Sequence, residues 1–119
     1  MKLVNLDTEE ILASDLRSAQ TFVQRLQGLM FSKELPAGTG LHIRPCRSIH
    51  TFFMRYAIDV LYLDEALVIV GMQESLQPGR IGPLIPKAQS VIELPAGSLG
   101  QTRTKNGQAV SIQPNLNQT

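Results

Sequence analysis

The stretch His50-Thr-Phe-Phe-Met-Arg-Tyr-Ala-Ile-Asp-Val-Leu-Tyr-Leu-Asp64 is the longest apolar run of the 119-residue chain. Its second half, Ile58–Leu63, has the composition of a β-strand, in which alternate side chains point to opposite faces. Asp59 therefore shares one face with Leu61 and Leu63. Because a buried carboxylate without a partner is very costly, we expect Asp59 to lie at the rim of the core or to be held by a partner.

Length and composition predict a single globular domain with a hydrophobic core. Apolar residues make up 43% of the chain and charged residues 18%, which is unlike a disordered protein. The net charge of +1 gives no global reason to expect nucleic acid or an acidic membrane as partner. We expect residues 1–112 to form the domain and the polar residues 113–119 to be a disordered tail.

The cellular location is predicted from three features. Cys46 is the single cysteine, which excludes an internal disulfide and favours a reducing compartment. Residues 1–10 lack the apolar region of a signal peptide. No run reaches the roughly 18 apolar residues of a membrane-spanning helix. We therefore expect a cytoplasmic protein without a membrane segment.

Short apolar runs between turn residues predict about seven or eight antiparallel strands. These runs are Lys2–Leu6, Ile11–Ser14, Leu41–Arg44, Ser48–Met54, Ile58–Leu63, Leu67–Met72, Ser90–Leu94 and Ala109–Ile112. Pro45 argues against a central position for the third of them. The turn at Asp64–Ala66 lacks glycine, which favours a loop longer than two residues. Gln77–Lys87 is rich in proline and glycine and is predicted to be a long irregular loop.

One short helix is predicted over Thr21–Gln27, where the apolar spacing changes to that of one helical face. Thr21 and Gln24 have the spacing of a capping box, and Gly28 suits the position after a helix end. The predicted fold class is therefore mainly β (α+β). A domain of this kind closes into a small barrel or packs as two sheets, because both arrangements protect strand edges.

Four motifs occur in order along the chain. They are Arg25-Leu-Gln-Gly-Leu-Met30, His50-Thr-Phe-Phe-Met54, Ile58-Asp-Val60 with Leu63-Asp64, and Val91-Ile-Glu-Leu-Pro-Ala-Gly97. Together they resemble the bacterial and archaeal family called domain of unknown function 192, over roughly Val4 to Ile112. The resemblance implies a compact, mainly β domain with a small helical part and no established activity. Family members usually have a glycine in the turn after the motif aspartate, and Asp64-Glu-Ala-Leu67 lacks it.

Cys46, His50 and Met54 are residue types that bind soft metal ions. In an extended strand, Cys46 and His50 would lie about 13 Å apart, at ~3.3 Å per residue. That is too far for two ligands of one ion, although a bulge or turn at Ser48 would close the gap. The same separation argues against a cysteine nucleophile with a histidine base. We therefore predict no metal site and no cofactor.

His50 and Asp59 lie on segments that antiparallel pairing would bring together across Arg55–Ala57. A carboxylate beside an imidazole raises the pKa of the histidine, and the pair could act as a general acid and base. A structural hydrogen bond or ion pair is the other interpretation, and we favour it, because structural networks also perturb titration.

Glu93 and Asp59 could also be considered as the two carboxylates of a glycosidase. The chain has no tryptophan and only 5% aromatic residues, however, so it lacks the platforms that sugars stack on. We instead predict a structural ion pair between Glu93 and Arg25, because a buried acid needs such a partner.

Arg44, Arg47 and Arg55 make the central segment locally basic, with Phe52, Phe53 and Tyr56 among them. Barrels that bind single-stranded nucleic acid combine a basic groove with stacking aromatic rings. The stripe is short and the net charge is small, so we do not expect nucleic acid as the main partner. The same arginines suit a small anion or a carboxylate-bearing ligand.

The sequence shows no complete catalytic set and therefore predicts a non-catalytic binding or accessory module for a small molecule or a peptide. Its site would be formed by the His50–Asp59 segment, the helix end and the Gln77–Lys87 loop. The candidate ligand-binding residues are Arg25, Cys46, His50, Thr51, Met54 and Asp59. An enzyme that uses His50 and Asp59 is the alternative, and single-strand nucleic-acid binding is a weaker one. The oligomeric state is left open.

Overall fold

The computed structural model describes residues 1–19, 35–52 and 54–115. Its strands are β1 (Lys2–Asn5), β2 (Ile11–Ala13), β3 (Asp15–Ala19), β4 (Thr39–Ile43), β5 (Ile58–Leu63), β6 (Ile69–Leu76), β7 (Ser90–Pro95) and β8 (Val110–Gln113). A short 3₁₀ turn, Leu99–Gln101, follows β7. The strands form a three-stranded sheet of order β2-β1-β8 and a five-stranded sheet of order β3-β4-β7-β5-β6. The predicted two-sheet, mainly β class is confirmed, and the described strands do not close into the alternative barrel.

The central strands of the larger sheet are buried on both faces. All six residues of β5 and the first five of β7 are buried, which explains why these segments read as continuous apolar runs. One face packs on the smaller sheet in a first core cluster: Leu3, Leu12, Ala13, Leu16, Leu61, Leu63, Ile69, Ile92, Leu94, Leu99 and Val110. The opposite face packs under loops in a second core cluster: Ala19, Leu41, Ile43, Ile49, Met54, Ile58, Val60, Tyr62, Ala88 and Val91.

The hairpin between β5 and β6 forms without glycine. Oδ1 of Asp64 accepts hydrogen bonds from the amides of Ala66 and Val68, each at 2.9 Å. Leu67 takes the left-handed conformation that glycine would adopt more easily, with φ +62°. The predicted loop longer than two residues is confirmed, and the carboxylate of Asp64 holds it in place.

The edge strand β3 was not predicted, and it runs parallel to β4. The prediction of antiparallel pairing throughout is therefore wrong. Only Leu16 and Ala19 of β3 are buried, so its sequence lacks a clear strand pattern. The 19 residues between β3 and β4, 20–38, provide the length that a parallel connection requires. Pro45 did not exclude a central position for β4, because this proline lies beyond the last strand residue and removes no ladder N–H.

The predicted strand Ser48–Met54 is also wrong. Among the described residues of this segment, only His50 forms an isolated bridge, with Ile81, because the backbone of residues 49–51 bonds to the loop that follows β6 instead of to a sheet. The predicted helix Thr21–Gln27 lies outside the described residues. Of the predicted tail, Gln113 belongs to β8, and residues 116–119 are likewise outside the described part. In the described part, no helix has the length and apolar character needed to span a bilayer.

Candidate functional site

Asp59 is fully buried on the face of β5 that carries Leu61 and Leu63, as the alternation predicts. Its Oδ1 accepts the amide N–H of Ser75 at 2.8 Å, and its Oδ2 accepts that of Leu99 at 2.9 Å. Both donors stand at irregular points of the backbone, since Ser75 has φ +53° and Leu99 begins the 3₁₀ turn. Charge-assisted hydrogen bonds are about twice as strong as neutral ones. The carboxylate therefore ties β5 to β6 and to the turn.

His50 lies in a different environment. The neighbours of β5 are β7 and β6, so the His50 segment is not its antiparallel partner, and that part of the prediction is wrong. The imidazole instead contacts the ring of Phe52, with 5.0 Å between the centroids. Ile49 beside it packs into the second core cluster, whereas Asp59 faces the first. This arrangement gives no support to an acid–base pair and favours the structural interpretation of Asp59.

Glu93 is fully buried on the opposite face of the sheet from Asp59. Its register partners Leu41 and Val60 belong to the second core cluster, whereas the β7 partner of Asp59 is Leu94. The two carboxylates therefore do not share a site as a glycosidase pair would. Arg25, the predicted ion-pair partner of Glu93, lies outside the described residues, so this pair stays a prediction.

Tyr62 is a buried polar residue that the sequence reasoning missed, because its position in β5 reads as core. The hydroxyl of Tyr62 lies 3.1 Å from Oε1 of Gln73 and donates to it. Burial raises the pKa of Tyr62 to about 12, and the charges of Cys46 and Glu93 act in the same direction. Gly82 packs over this hydroxyl so closely that a Cβ would lie 2.8 Å from it. A buried tyrosine needs a hydrogen-bond partner for its hydroxyl. That requirement could have marked Tyr62 in the sequence as a buried residue that bonds to a polar group.

The raised pKa of Tyr62 makes a testable statement about stability at high pH. The contribution of the neutral Tyr62 hydroxyl to the free energy of unfolding is complete below the unfolded pKa of 10.0. This contribution is lost as the pH rises towards the folded pKa of about 12, because the unfolded chain releases the proton first. We expect the free energy of unfolding to fall more steeply with pH in this window for the wild type than for Tyr62→Phe. Urea denaturation at intervals across the window measures both slopes. Equal slopes for the two proteins would contradict the assignment.

Thr51 fastens the loop after β6 to the segment that contains His50. Thr51 is fully buried, and its hydroxyl donates to the carbonyl of Gln77 and accepts the amide N–H of Arg80 at 2.9 Å. Its backbone bonds to the same loop, through its N–H to the Arg80 carbonyl and its carbonyl to the Gly79 N–H. The predicted site residue Thr51 thus has a structural task. Met54, another predicted site residue, is buried in the second core cluster.

A cavity of about 370 Å³ lies at Cys46, lined by Pro45, Cys46, Arg47, Ala88 and Gln89. The amide of Cys46 donates to the Gln89 carbonyl at 3.0 Å, and the thiol donates to the Ser48 carbonyl at 3.0 Å. The first of these bonds joins the two walls of the cavity, and the second holds the thiol against its own segment. Arg47 and Gln89 are exposed, so their polar groups are available to a ligand.

The chain around this cavity is basic. Residues 43–58 and 77–92, which we call the basic segments, contain no Asp or Glu, and their cationic residues are all exposed: Arg44, Arg47, Arg55, Arg80 and Lys87. The whole chain, by contrast, contains 11 basic and 10 acidic residues. Arg80 and Lys87 lie in the Gln77–Lys87 loop that was predicted to form part of the site, but neither was named as a site residue, because only the packing of the loop brings them to the segment of Arg47. An anion is the ligand that this distribution of charge suits.

His42 is a second buried residue that the sequence reasoning missed. It lies on β4 opposite Ile92, and its Nε2 has no hydrogen-bond partner among the described residues. Burial lowers the pKa of His42, and the nearby charge of Arg44 lowers it further. Within residues 1–19, 35–52 and 54–115, no three His, Cys, Asp or Glu side chains are grouped to hold a metal ion.

Two packed sheets with an open cavity beside a basic loop define a small two-sheet β domain. The chain belongs to the family of domain of unknown function 192, described as "Uncharacterized ACR", whose family model matches residues 3–112. The resemblance seen in the sequence is therefore confirmed. A UPF0127 protein of Pyrococcus horikoshii is 39% identical over 70% of this chain and 74% of its own length. One of Thermococcus sibiricus is 30% identical over 91% and 72%, respectively.

Two solved structures have the same fold. A protein of unknown function from Novosphingobium aromaticivorans matches with a TM-score of 0.78 and 16% identity, over 93% of this chain and 82% of that one. A protein of Sinorhizobium meliloti described as a "putative transcription regulator" matches with a TM-score of 0.72 and 18% identity, over 92% and 89%. At these identities the likeness shows the fold alone.

Proposed function

We propose that this protein is a non-catalytic binding or accessory module and that it takes a small anionic ligand in the cavity at Cys46. The observation that carries the proposal is the charge of the basic segments, which have five exposed cations and no acid. Arg47 lines the cavity, and a guanidinium presents paired N–H donors that match a carboxylate or phosphate. The amide of Gln89 offers a further donor at the same wall.

The structural tasks of the other predicted site residues support a role without catalysis. Both oxygens of Asp59 already accept backbone N–H groups, and the hydroxyl of Thr51 already bonds to the loop. General acid–base chemistry needs a side chain that can reach a substrate proton, and neither buried residue offers one. Among the candidates that the structure describes, Cys46 and His50 keep an exposed fraction.

The proposal includes a cytoplasmic location. Cys46 is the single cysteine of the chain, so no disulfide can form within it. Exported proteins commonly carry disulfides, and a chain that cannot form one internally suits a reducing compartment. A peptide that ends in a carboxylate is a ligand of the same charge as a small organic acid, and it would meet Arg47 in the same way.

An NMR titration with citrate or inorganic phosphate tests the cavity. We expect the amide resonances of residues 45–48 and 88–89 to shift, and Arg47→Ala to weaken binding by about tenfold, which is about 1.4 kcal/mol. Arg17→Ala is the matched control, because Arg17 is an exposed arginine on β3 that pairs with Asp15 at 3.1 Å. If both variants lose the same affinity, the anions only screen charge and the proposed site is wrong. Absence of any shift at millimolar anion would also refute it.

A further inference from the structure

The loop after β6 presents two apolar side chains to solvent. Ile81 and Leu84 are 71% and 69% exposed, more than any other large hydrophobic residue that the structure describes. The loop is nevertheless held in place, because Gly82 N–H bonds to the Ile49 carbonyl at 2.7 Å and Ile85 N–H to the Arg47 carbonyl at 3.0 Å. Exposed apolar groups on a fixed backbone are typical of interaction surfaces.

Ile81 also presents an open backbone edge. In its bridge with His50, the hydrogen bonds run between the flanking residues, from Thr51 N–H to the Arg80 carbonyl and from Gly82 N–H to the Ile49 carbonyl. In that antiparallel pattern the N–H and C=O of the bridged residue point away from its partner. No described residue bonds to either group of Ile81. Such an edge is a template for the addition of another strand.

We propose that residues 80–84, which we call the Ile81 edge, dock an extended segment of a partner protein in which apolar side chains alternate with carboxylates. The main chain of the segment would pair with Ile81, and its apolar side chains would cover Ile81 and Leu84. Its carboxylates would face exposed cations of the basic segments, such as Arg80 and Lys87. Pro83 has no N–H, so the ladder is short and the side chains contribute most of the affinity.

Charge and backbone chemistry select this partner over two others. A second copy of the chain would place one basic edge against another, which like-charge repulsion opposes. A nucleic-acid strand would match the charge, but it has no peptide backbone to pair with the N–H and C=O of Ile81. The inference goes beyond the anion site, because docking at Ile81 does not require the cavity at Cys46 to be filled.

Selection from a displayed library of random ten-residue peptides tests the inference, with Ile81→Glu as the counter-target. We expect enrichment of peptides that alternate apolar and acidic residues. A synthetic copy of a selected peptide should shift the amide resonances of residues 80–84 and bind Ile81→Glu at least tenfold more weakly. Ile11→Glu, at an isoleucine that is 56% exposed on β2, should bind it as the wild type does. N-methylation of the peptide nitrogen that pairs with Ile81 should weaken binding similarly.

Several results would overturn the inference. One is that peptides are enriched no more strongly on the wild type than on Ile81→Glu. Another is that the selected peptide shifts amide resonances outside residues 80–84, and a third is that the N-methylated peptide binds with unchanged affinity. Oligothymidine binding at these residues that persists in Ile81→Glu would assign the surface to nucleic acid. A dimer in sedimentation that Ile81→Glu abolishes would assign it to a second copy. Citrate titration of Ile81→Glu keeps the two proposals apart, because the cavity should still bind when the edge is lost.

Discussion

Asp59→Ala is expected to lower the free energy of unfolding by about 4 kcal/mol. The substitution removes a fully buried carboxylate and leaves the N–H groups of Ser75 and Leu99 without an acceptor. The orphaned donor of Leu99 is buried and costs about 1–3 kcal/mol. The donor of Ser75 is only partly buried and costs less, and the missing side chain leaves a small cavity in addition. Urea denaturation at neutral pH, followed by circular dichroism, measures the loss.

Two further variants serve as comparisons for the stability loss of Asp59→Ala. Asp59→Asn keeps one acceptor oxygen for two donors, so we expect it to lose about half as much stability as the alanine variant. Asp15→Asn is the control for removal of a negative charge, because this side chain is 48% exposed and its ion pair with Arg17 lies on the surface. Exposed ion pairs contribute about 1 kcal/mol or less. A loss at Asp59 no larger than at Asp15 would contradict the structural role.

The Asp59 variants also decide between the structural role and the enzymatic alternative. A catalytic carboxylate can be replaced by its amide with little change in stability and a complete loss of activity. A carboxylate that holds the backbone shows the opposite result, a protein of lower stability in which no activity is lost. The two hydrogen bonds of Asp59, one buried and one partly buried, favour the second outcome.

Alternation made β5 and the surroundings of Asp59 predictable. A strand repeats every two residues, so the placement of Asp59 beside Leu61 and Leu63 followed from the sequence alone. The need for a partner followed from the cost of burying a charge. The identity of that partner did not follow, because the donors are backbone groups of Ser75 and Leu99, 16 and 40 residues away. Every residue except proline has a backbone N–H, so the sequence does not indicate which of them will bond to Asp59.

The basic segments show the other limit of prediction. Arg47 and Arg55 were visible as a local cluster, but Arg80 and Lys87 join them through a loop that bonds to residues 47–51. The sequence 48–54 looked like a strand because it is apolar, yet its backbone found partners in that irregular loop. The parallel strand β3 was hidden for a related reason, since an edge strand with two buried residues has too little pattern to recognise.

Thr51→Val should show that the loop and the segment of His50 form one unit. Valine matches the shape of threonine but has no hydroxyl, so the carbonyl of Gln77 loses a donor and the amide of Arg80 loses an acceptor. We expect the free energy of unfolding to fall by about 2–3 kcal/mol, with faster amide hydrogen exchange at Arg80. Urea denaturation and exchange followed by NMR measure the two effects.

Thr51→Ser is the matched variant, because serine keeps the hydroxyl and loses only one buried methyl group, which costs about 1 kcal/mol. If the hydroxyl fastens the loop, serine should be the milder change and should leave exchange at Arg80 slow. A serine variant less stable than the valine variant would mean that the buried methyl matters more than the two hydrogen bonds. Because Arg80 and Lys87 belong to that loop, Thr51→Val should also weaken anion binding, whereas Thr51→Ser should preserve it.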